Sequence, residues 1–302
     1  MNELVAAGIL DSELQKSYSE CKRLNALHGK TYYLATLLLP KNKRPFVHAL
    51  YGFARYADEI VDNFDSNLSN SQRRSELEQW SFQMLNDLKT GTSTDHVGRA
   101  LVDTVNRFDI PIAYFEAFLH SMTMDLDVVE YANFDALSEY VYGSAAVIGL
   151  QMVEILGMKK GEEENTRKAA EKLGIAFQLA NFIRDVGEDL ERGRIYLPMD
   201  ELAAFNIDRE MLERRIVTPK LKLALKDQIE RVRKLQSEAN TGIKNLSPDS
   251  RPCIEAASEL YCGIVDEVEE IDFQIFNKRA KTSTLRRIRV ALPAWLRAVK
   301  AR

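Results

Sequence analysis

The sequence is poor in cysteine, with only Cys21, Cys253 and Cys262 among its 302 residues. These three are too scattered for a disulfide framework, and none belongs to a C-x-x-C pair that would hold zinc, so we expect a reducing compartment. Glycine and proline are also scarce and together make up about 7% of the chain, against a usual share of about 12%. This shortage of turn-forming residues argues against an all-β sandwich and favours long helices.

Long hydrophobic runs are absent as well, because no stretch reaches the ~18 uninterrupted apolar residues of a membrane span. The amino-terminal segment MNELVAAGILDSELQ carries acidic residues where an export signal has a basic start. We therefore expect neither a spanning helix nor a signal peptide, and we predict a cytoplasmic location.

Acidic residues are missing from one region, since none follows Asp272, although the whole chain has a net charge of -4. The tail at about 278–302 is therefore strongly basic, with Lys278, Arg279, Lys281, Arg286, Arg287, Arg289, Arg297, Lys300 and Arg302. Two interpretations stay open: the tail lies on the inner face of an anionic membrane, or it is a solvated end packed by a few apolar residues. Because the rest of the chain is acidic and contains no recognised nucleic-acid module, we expect no nucleic-acid partner.

Helical periodicity is what the sequence does have. Apolar residues recur at spacings of three and four in nearly every segment, whereas convincing strand patterns are absent. The pattern predicts helices at about 14–27, 43–63, 71–89, 96–108, 112–127, 134–156, 162–192, 219–244 and 251–277. No long linker, repeat or low-complexity tract divides the chain, so we predict one all-α domain over residues 1–302 that includes the basic tail.

The predicted helix at 43–63 carries an acidic stripe. Tyr51, Arg55, Asp58 and Asp62 are spaced by four, three and four residues, which puts them on one helical face. Asp58 and Asp62 then lie about 6 Å apart along the axis, a separation that suits carboxylates sharing divalent cations. Aspartates at this spacing are also common on solvated helix faces, so the pattern alone does not define a site.

A second stripe is more informative. Gln178, Asn181, Asp185 and Asp189 share one face of the predicted helix at 162–192, and the opposite face is apolar. A solvated face would alternate lysine with glutamate, but this stripe offers only oxygen ligands, which fit Mg²⁺ or Mn²⁺ rather than zinc or iron. Two such helices facing each other across a bundle would hold a metal cluster whose natural ligand is a diphosphate.

Two arginines accompany the stripes. Arg55 and Arg184 each lie beside an aspartate face and would neutralise phosphate oxygens. For Arg184, an ion pair with Glu188 on the same helix explains the residue equally well.

Two motifs resemble the phytoene and squalene synthase family: DEIVD at 58–62, and NFIRDVGED at 181–189 followed by RIYLP at 194–198. The segment HGKTYY at 28–33 is similar to the family's substrate-binding strip, in which a histidine, a basic residue and a small polar residue contact diphosphate oxygens. The resemblance extends from about residue 28 to residue 278. It implies an all-α, single-domain class I isoprenoid synthase (terpenoid synthase) fold, with the aspartates at the mouth of a central apolar cavity.

The resemblance assigns roles to the matching residues. The implied metal ligands are Asp58, Asp62, Asn181, Asp185 and Asp189. The implied substrate-binding residues are His28, Gly29, Lys30, Thr31, Tyr51, Arg55, Gln178, Asn181, Arg184, Tyr261 and Lys278, and the implied catalytic residues are Tyr51, Arg55, Asp58, Asp62 and Tyr261. Two positions depart from the family: Glu59 stands where many relatives have an aspartate, and Lys278, with Arg279 adjacent, stands where an arginine often closes the phosphate site. A lysine keeps the positive charge but loses the bidentate contact.

The implied reaction is a Mg²⁺-dependent head-to-head condensation of two geranylgeranyl diphosphates to phytoene through a cyclopropyl diphosphate, without NADPH and with Mn²⁺ as an alternative metal. Squalene or dehydrosqualene formation from two farnesyl diphosphates is one alternative, and a scaffold of the same fold that has lost catalysis is another. Downstream carotenoid enzymes would be partners. Small residues at 143–149 either leave volume for an isoprenoid tail or let helices pack closely.

Overall fold

The computed structural model describes residues 2–62 and 68–301, except for the side chains of Lys30, Thr31 and Asp62. In these ranges the chain is helical, and β-structure is limited to two isolated bridges. The helices are α1 (Glu3–Ala6), α2 (Ser12–His28), α3 (Lys30–Thr36), α4 (Arg44–Asp62), α5 (Asn70–Thr90), α6 (His96–Phe108), α7 (Ile112–Met124), α8 (Phe134–Val141), α9 (Val147–Leu156), α10 (Glu163–Glu191), α11 (Met199–Ala204), α12 (Arg209–Glu213), α13 (Pro219–Ile243), α14 (Arg251–Cys262), α15 (Ile264–Glu270) and α16 (Thr284–Lys300). The all-α fold class predicted from the sequence is confirmed.

Long amphipathic segments form the helices that their periodicity predicts. The predictions at 43–63 and 162–192 match α4 and α10 to within one residue at each end. The prediction of a single helix at 251–277 is wrong, because α14 and α15 divide this segment. Helical geometry then ends where Asp272 and Phe273 adopt φ values of 53° and 58°, a left-handed conformation that an α-helix does not contain.

The small residues between α8 and α9 bring helices into backbone contact. They form a π-helical turn, Tyr142–Ala146, that interrupts the helix predicted there. A Cβ atom at Gly143 would lie 2.1 Å from the carbonyl oxygen of Ala117, and one at Gly149 would lie 2.3 Å from that of Ala170. Gly149 also lines the central cavity, so close helix packing and space for a ligand both apply to this segment.

The basic tail forms a helix that the sequence analysis does not predict. The Ser283 side chain accepts a hydrogen bond from the backbone N–H of Arg286 and so caps the start of α16. Val290, Ala294 and Ala298, spaced by four residues, are buried where α16 packs on α14. In the described ranges, no helix combines the length and the apolar character needed to cross a membrane.

Two apolar clusters form the core, and the cavity lies between them. Phe53 and Phe115 are fully buried in the cluster built mainly by α2, α4, α6 and α7. Ile183 and Leu225 are buried in the cluster built mainly by α10 and α13. Burial of each such side chain contributes about 1.5–3 kcal/mol. Because members of both clusters also line the cavity, the packing that stabilises the fold sets the cavity walls.

Candidate active site

The cavity has a volume of about 680 Å³, which is large enough for a drug-sized ligand. One face of α10 lines the cavity from Thr166 to Asp189. At 1.5 Å per residue, these 23 steps span about 35 Å. The carboxyl-terminal part of this face is polar from Gln178 onwards, whereas the part from Thr166 to Phe177 is apolar or small. The cavity therefore has a charged end and an apolar end.

Asp185 is the most strongly paired acid at the charged end. The Arg184 guanidinium donates to both of its oxygens, with Nε 2.7 Å from Oδ1. Arg279, which lies beyond α15, donates from Nε to Oδ1 at 3.1 Å and from Nη2 to Oδ2 at 3.2 Å. Arg184 thus pairs with Asp185 rather than with Glu188, which was the alternative that the sequence left open, and Arg279 contacts Glu188 at 3.3 Å.

Asp189 and Asn181 are two further oxygen-bearing residues of α10, eight positions and so about 12 Å apart along the helix. Burial, together with the negative charge of Asp185, raises the pKa of Asp189 to about 7, although Arg192 and Arg194 partly offset this. The Oδ1 atom of Asn181 is buried and has no hydrogen-bond partner among the described residues. A buried acceptor without a donor and a carboxylate whose pKa is raised by burial both favour positive charge along this face of α10.

The residues of α10 therefore fit a divalent cation that takes oxygen ligands. In the described part of the chain, no three His, Cys, Asp or Glu side chains already converge as a metal site. The predicted ligands Asp58, Asp185 and Asp189 all line the cavity. The side chain of the remaining predicted acid, Asp62, lies outside the described residues.

The α4 stripe faces the same cavity. Tyr51, Arg55 and Asp58 all line it, so the structure brings the two predicted stripes together. Arg55 donates from Nη1 to Asp58 Oδ2 at 2.9 Å, and its Nε lies 3.8 Å from Glu59. Each helix thus presents an aspartate paired with an arginine from its own helix.

Aromatic rings separate the charged end from the apolar end. Tyr261 of α14 stacks on Tyr32 of α3 at 5.3 Å between ring centroids and packs against Phe177 of α10 at 5.0 Å. Burial is the main cause that raises the pKa of Tyr261, so its hydroxyl stays protonated at neutral pH. Tyr32 was not predicted as a site residue, although it belongs to the HGKTYY segment that resembles the family's substrate-binding strip.

The junction of α2 and α3 positions Tyr51. A Cβ atom at Gly29 would lie 2.5 Å from the Tyr51 ring, so only glycine allows this ring to contact the backbone there. His28 ends α2 and lines the cavity. The side chains of Lys30 and Thr31, predicted to bind substrate, lie outside the described residues.

Lys278 does not lie where the sequence analysis places it. Lys278 and Arg279 are both exposed and neither lines the main cavity. Arg279 is the one that reaches Asp185, and it lines a smaller pocket beside Arg184. The site therefore has the bidentate guanidinium that a lysine would have lost.

A second polar group borders the cavity near Asp189, and the sequence analysis does not predict it. Asp125, just after α7, accepts hydrogen bonds from the hydroxyls of Tyr140 at 2.7 Å and Tyr196 at 2.8 Å. Arg194 donates to the Asp125 carbonyl oxygen at 2.8 Å. Arg194 and Tyr196 belong to the RIYLP segment, which resembles the family motif. Nothing in the sequence around Asp125 identifies it as a site residue.

Comparisons with known proteins agree with this geometry. The squalene/phytoene synthase family model matches residues 26–286. Phytoene synthase 2 of Solanum lycopersicum is 39% identical over 89% of this chain and 87% of its own. The 15-cis-phytoene synthase of Synechococcus elongatus is 35% identical over 95% of each chain.

Solved structures share the fold. A dehydrosqualene synthase crystallised with a ligand has a TM-score of 0.84 and 27% identity, covering 96% of this chain and 99% of that one. The squalene synthase HpnC of Alicyclobacillus acidocaldarius, at 22% identity, has a TM-score of 0.80 and covers 89% of this chain and 98% of its own. The expected terpenoid synthase fold is confirmed, and the chain belongs to the squalene/phytoene synthase family.

Proposed function

We propose that this protein joins two molecules of geranylgeranyl diphosphate head to head to form phytoene. The observation that carries the proposal is the single face of α10 on which Asn181, Asp185 and Asp189 are followed, towards the amino terminus, by an apolar wall. From Gln178 to Thr166 this wall extends about 18 Å. A prenyl chain is apolar, so this end of the cavity suits the hydrocarbon tail of a prenyl diphosphate. The names of the relatives described above support phytoene over squalene.

Asp58, Asn181, Asp185 and Asp189 would hold Mg²⁺, with Asp62 as a further ligand expected from the sequence. The metal, when bound, would supply positive charge that stabilises the departing diphosphate. Mn²⁺ takes the same oxygen ligands and would substitute for it.

The arginines at the charged end would bind the substrate diphosphate. Arg55 is paired with Asp58, and both Arg184 and Arg279 are paired with Asp185. A diphosphate offers these guanidiniums more negative charge than one carboxylate does. We therefore expect the arginines to exchange their hydrogen bonds with the aspartates for hydrogen bonds with the substrate diphosphate. The aspartates would then be released to bind cations, which couples metal binding to substrate binding.

The apolar end would protect a carbocation after the diphosphate leaves. Its walls exclude water, which would otherwise capture the cation. The faces of Tyr32 and Tyr261 would stabilise positive charge through their π electrons. The product forms when a proton is lost from the rearranged cation, so the reaction requires no NADPH.

Squalene or dehydrosqualene formation from farnesyl diphosphate is the second candidate. The dehydrosqualene synthase described above favours it through its fold and its 27% identity. A 15-carbon chain is one five-carbon unit shorter than a 20-carbon chain and would leave more of the apolar end empty. We further propose that the product passes to a membrane and to a downstream carotenoid enzyme, since phytoene is insoluble in water.

The test is to incubate the purified protein with Mg²⁺ and either geranylgeranyl or farnesyl diphosphate, with and without NADPH, and to identify the hydrocarbon. We expect a C40 product formed without NADPH. Asp185→Ala should abolish it, while Asp227→Ala, which removes an exposed carboxylate of α13, should not. A C30 product would move the protein to the squalene branch, and no product from either substrate would refute the catalytic proposal.

A further inference from the structure

The side of α16 that points away from the protein body is strongly apolar. At 100° per residue, its large apolar side chains fall within about 100° of the helix circumference. We call this the outward face, and it consists of Leu285, Ile288, Leu292, Trp295, Leu296 and Val299. Each of these side chains is 48% to 77% exposed. Burying large apolar side chains is strongly favourable, so a contiguous exposed stripe of this size indicates a partner.

The opposite side of α16 is already fixed to the protein. Val290, Ala294 and Ala298 pack on α14. Arg297 donates to Glu255 at 3.1 Å, and Arg286 donates to Asp266 at 2.7 Å. These contacts orient α16, so the outward face cannot turn inwards to bury itself without breaking them.

The charges around the outward face select the partner. Arg289 and Lys300 lie along one edge of this face, and no acidic residue follows Asp272 in the sequence. A second copy docked through the same face would present only cations and apolar side chains from its own α16, so it would not neutralise Arg289 and Lys300. An anionic lipid surface has the complementary charge and also accepts apolar side chains.

We infer that the outward face of α16 docks the enzyme on an anionic lipid bilayer, with the helix lying in the plane of the surface. Trp295 and its apolar neighbours would enter the boundary between headgroups and acyl chains, while Arg289 and Lys300 contact the headgroups. This inference deepens the membrane contact proposed above, but it does not depend on which hydrocarbon the enzyme makes.

The orientation also relates the bilayer to the charged end of the cavity. A pocket of about 300 Å³ at the start of α16 is lined by Lys281 and Arg287 together with Arg184 and Tyr261. The last two residues also line the main cavity. Docking through α16 would therefore bring this pocket, which shares Arg184 and Tyr261 with the main cavity, towards the lipid surface, where the prenyl diphosphate and its insoluble product both partition.

The experiment measures flotation of the full-length protein with vesicles of phosphatidylglycerol and phosphatidylcholine in equal parts, and with vesicles of phosphatidylcholine alone. We expect tighter binding to the anionic vesicles and weaker binding at high salt. The variant Leu292→Glu/Trp295→Glu should lower the partition coefficient at least tenfold. The matched control is Phe82→Glu on α5, which alters a side chain that is 75% exposed elsewhere and should change binding less than twofold.

Three results would overturn the inference: no binding of the unmodified protein to anionic vesicles, equal binding by the double variant, or a dimer in solution that the double variant dissociates. The last result would assign the outward face to a second copy. The double variant should keep its activity on detergent-dispersed substrate, because its side chains do not line the cavity. Loss of vesicle binding with retained activity separates this inference from the proposed reaction.

Discussion

The cavity floor gives the sharpest test of substrate length. Ala170 lines the apolar end of the cavity, eight residues and so about 12 Å along α10 from Gln178. Helical side chains lean towards the amino terminus, so a phenylalanine at this position would point towards Thr166 and occupy the floor. The change Ala170→Phe should therefore exclude the last five carbons of a 20-carbon chain and leave most of a 15-carbon chain in place.

The size of the effect follows from the burial that is lost. Five carbons at about 0.8 kcal/mol each correspond to about 4 kcal/mol, which is nearly a thousandfold in kcat/KM. Because the chain can bend and recover part of this burial, we expect the preference for geranylgeranyl over farnesyl diphosphate to fall at least tenfold.

The assay compares kcat/KM for the two diphosphates in the unmodified protein, in Ala170→Phe and in the control Ala170→Ser, which adds a single oxygen. Thermal melting of each variant shows whether the fold survives. An unchanged preference in a folded Ala170→Phe protein would refute the inference that this end of the cavity holds the end of the prenyl chain.

Three further predictions concern the charged end, the core and a buried histidine. Arg279→Ala should raise the KM for prenyl diphosphate at least tenfold, because it removes a guanidinium that pairs with Asp185 and that we expect to bind the diphosphate. Lys278→Ala should change the KM less than twofold. Equal effects of the two changes would contradict the placement of these residues. Gly143→Ala should lower the free energy of unfolding by about 3 kcal/mol in urea titrations, because the new methyl group would overlap the Ala117 carbonyl oxygen. Burial lowers the pKa of His48 to about 4 from its usual 6.5, so the unfolded chain binds more protons as the pH falls through this window. The free energy of unfolding should therefore drop by about 3 kcal/mol between pH 6.5 and 4, and His48→Gln should reduce that drop.

The two polar stripes are the part of the site that the sequence predicts best. Spacings of three and four residues put Gln178, Asn181, Asp185 and Asp189 on one face in any α-helix, whatever packs around it. The cavity lining in the structure includes all four. The boundaries of α4 and α10 were predictable for the same reason, since a long apolar stripe leaves few alternatives.

Residues whose position depends on a break in periodicity were not predictable. Beyond α15 the backbone leaves the helical conformation at Asp272 and Phe273. Helical spacing therefore cannot predict the direction in which the side chains of Lys278 and Arg279 point. Which of the two cations reaches Asp185 depends on the path of that segment. Tyr32 and Asp125 were missed for a related reason, because each lies next to a helix boundary and acquires its role from a distant partner.

The sequence by itself determined the helical class, the polar face of α10 and the basic character of the tail, since these follow from local spacing and composition. Tertiary structure alone decided how far the apolar wall extends, which arginine pairs with Asp185, and which side of α16 stays exposed. The physical reason is that helical periodicity fixes how side chains are arranged around one helix. The burial and pairing of those side chains depend on which other helices pack against it.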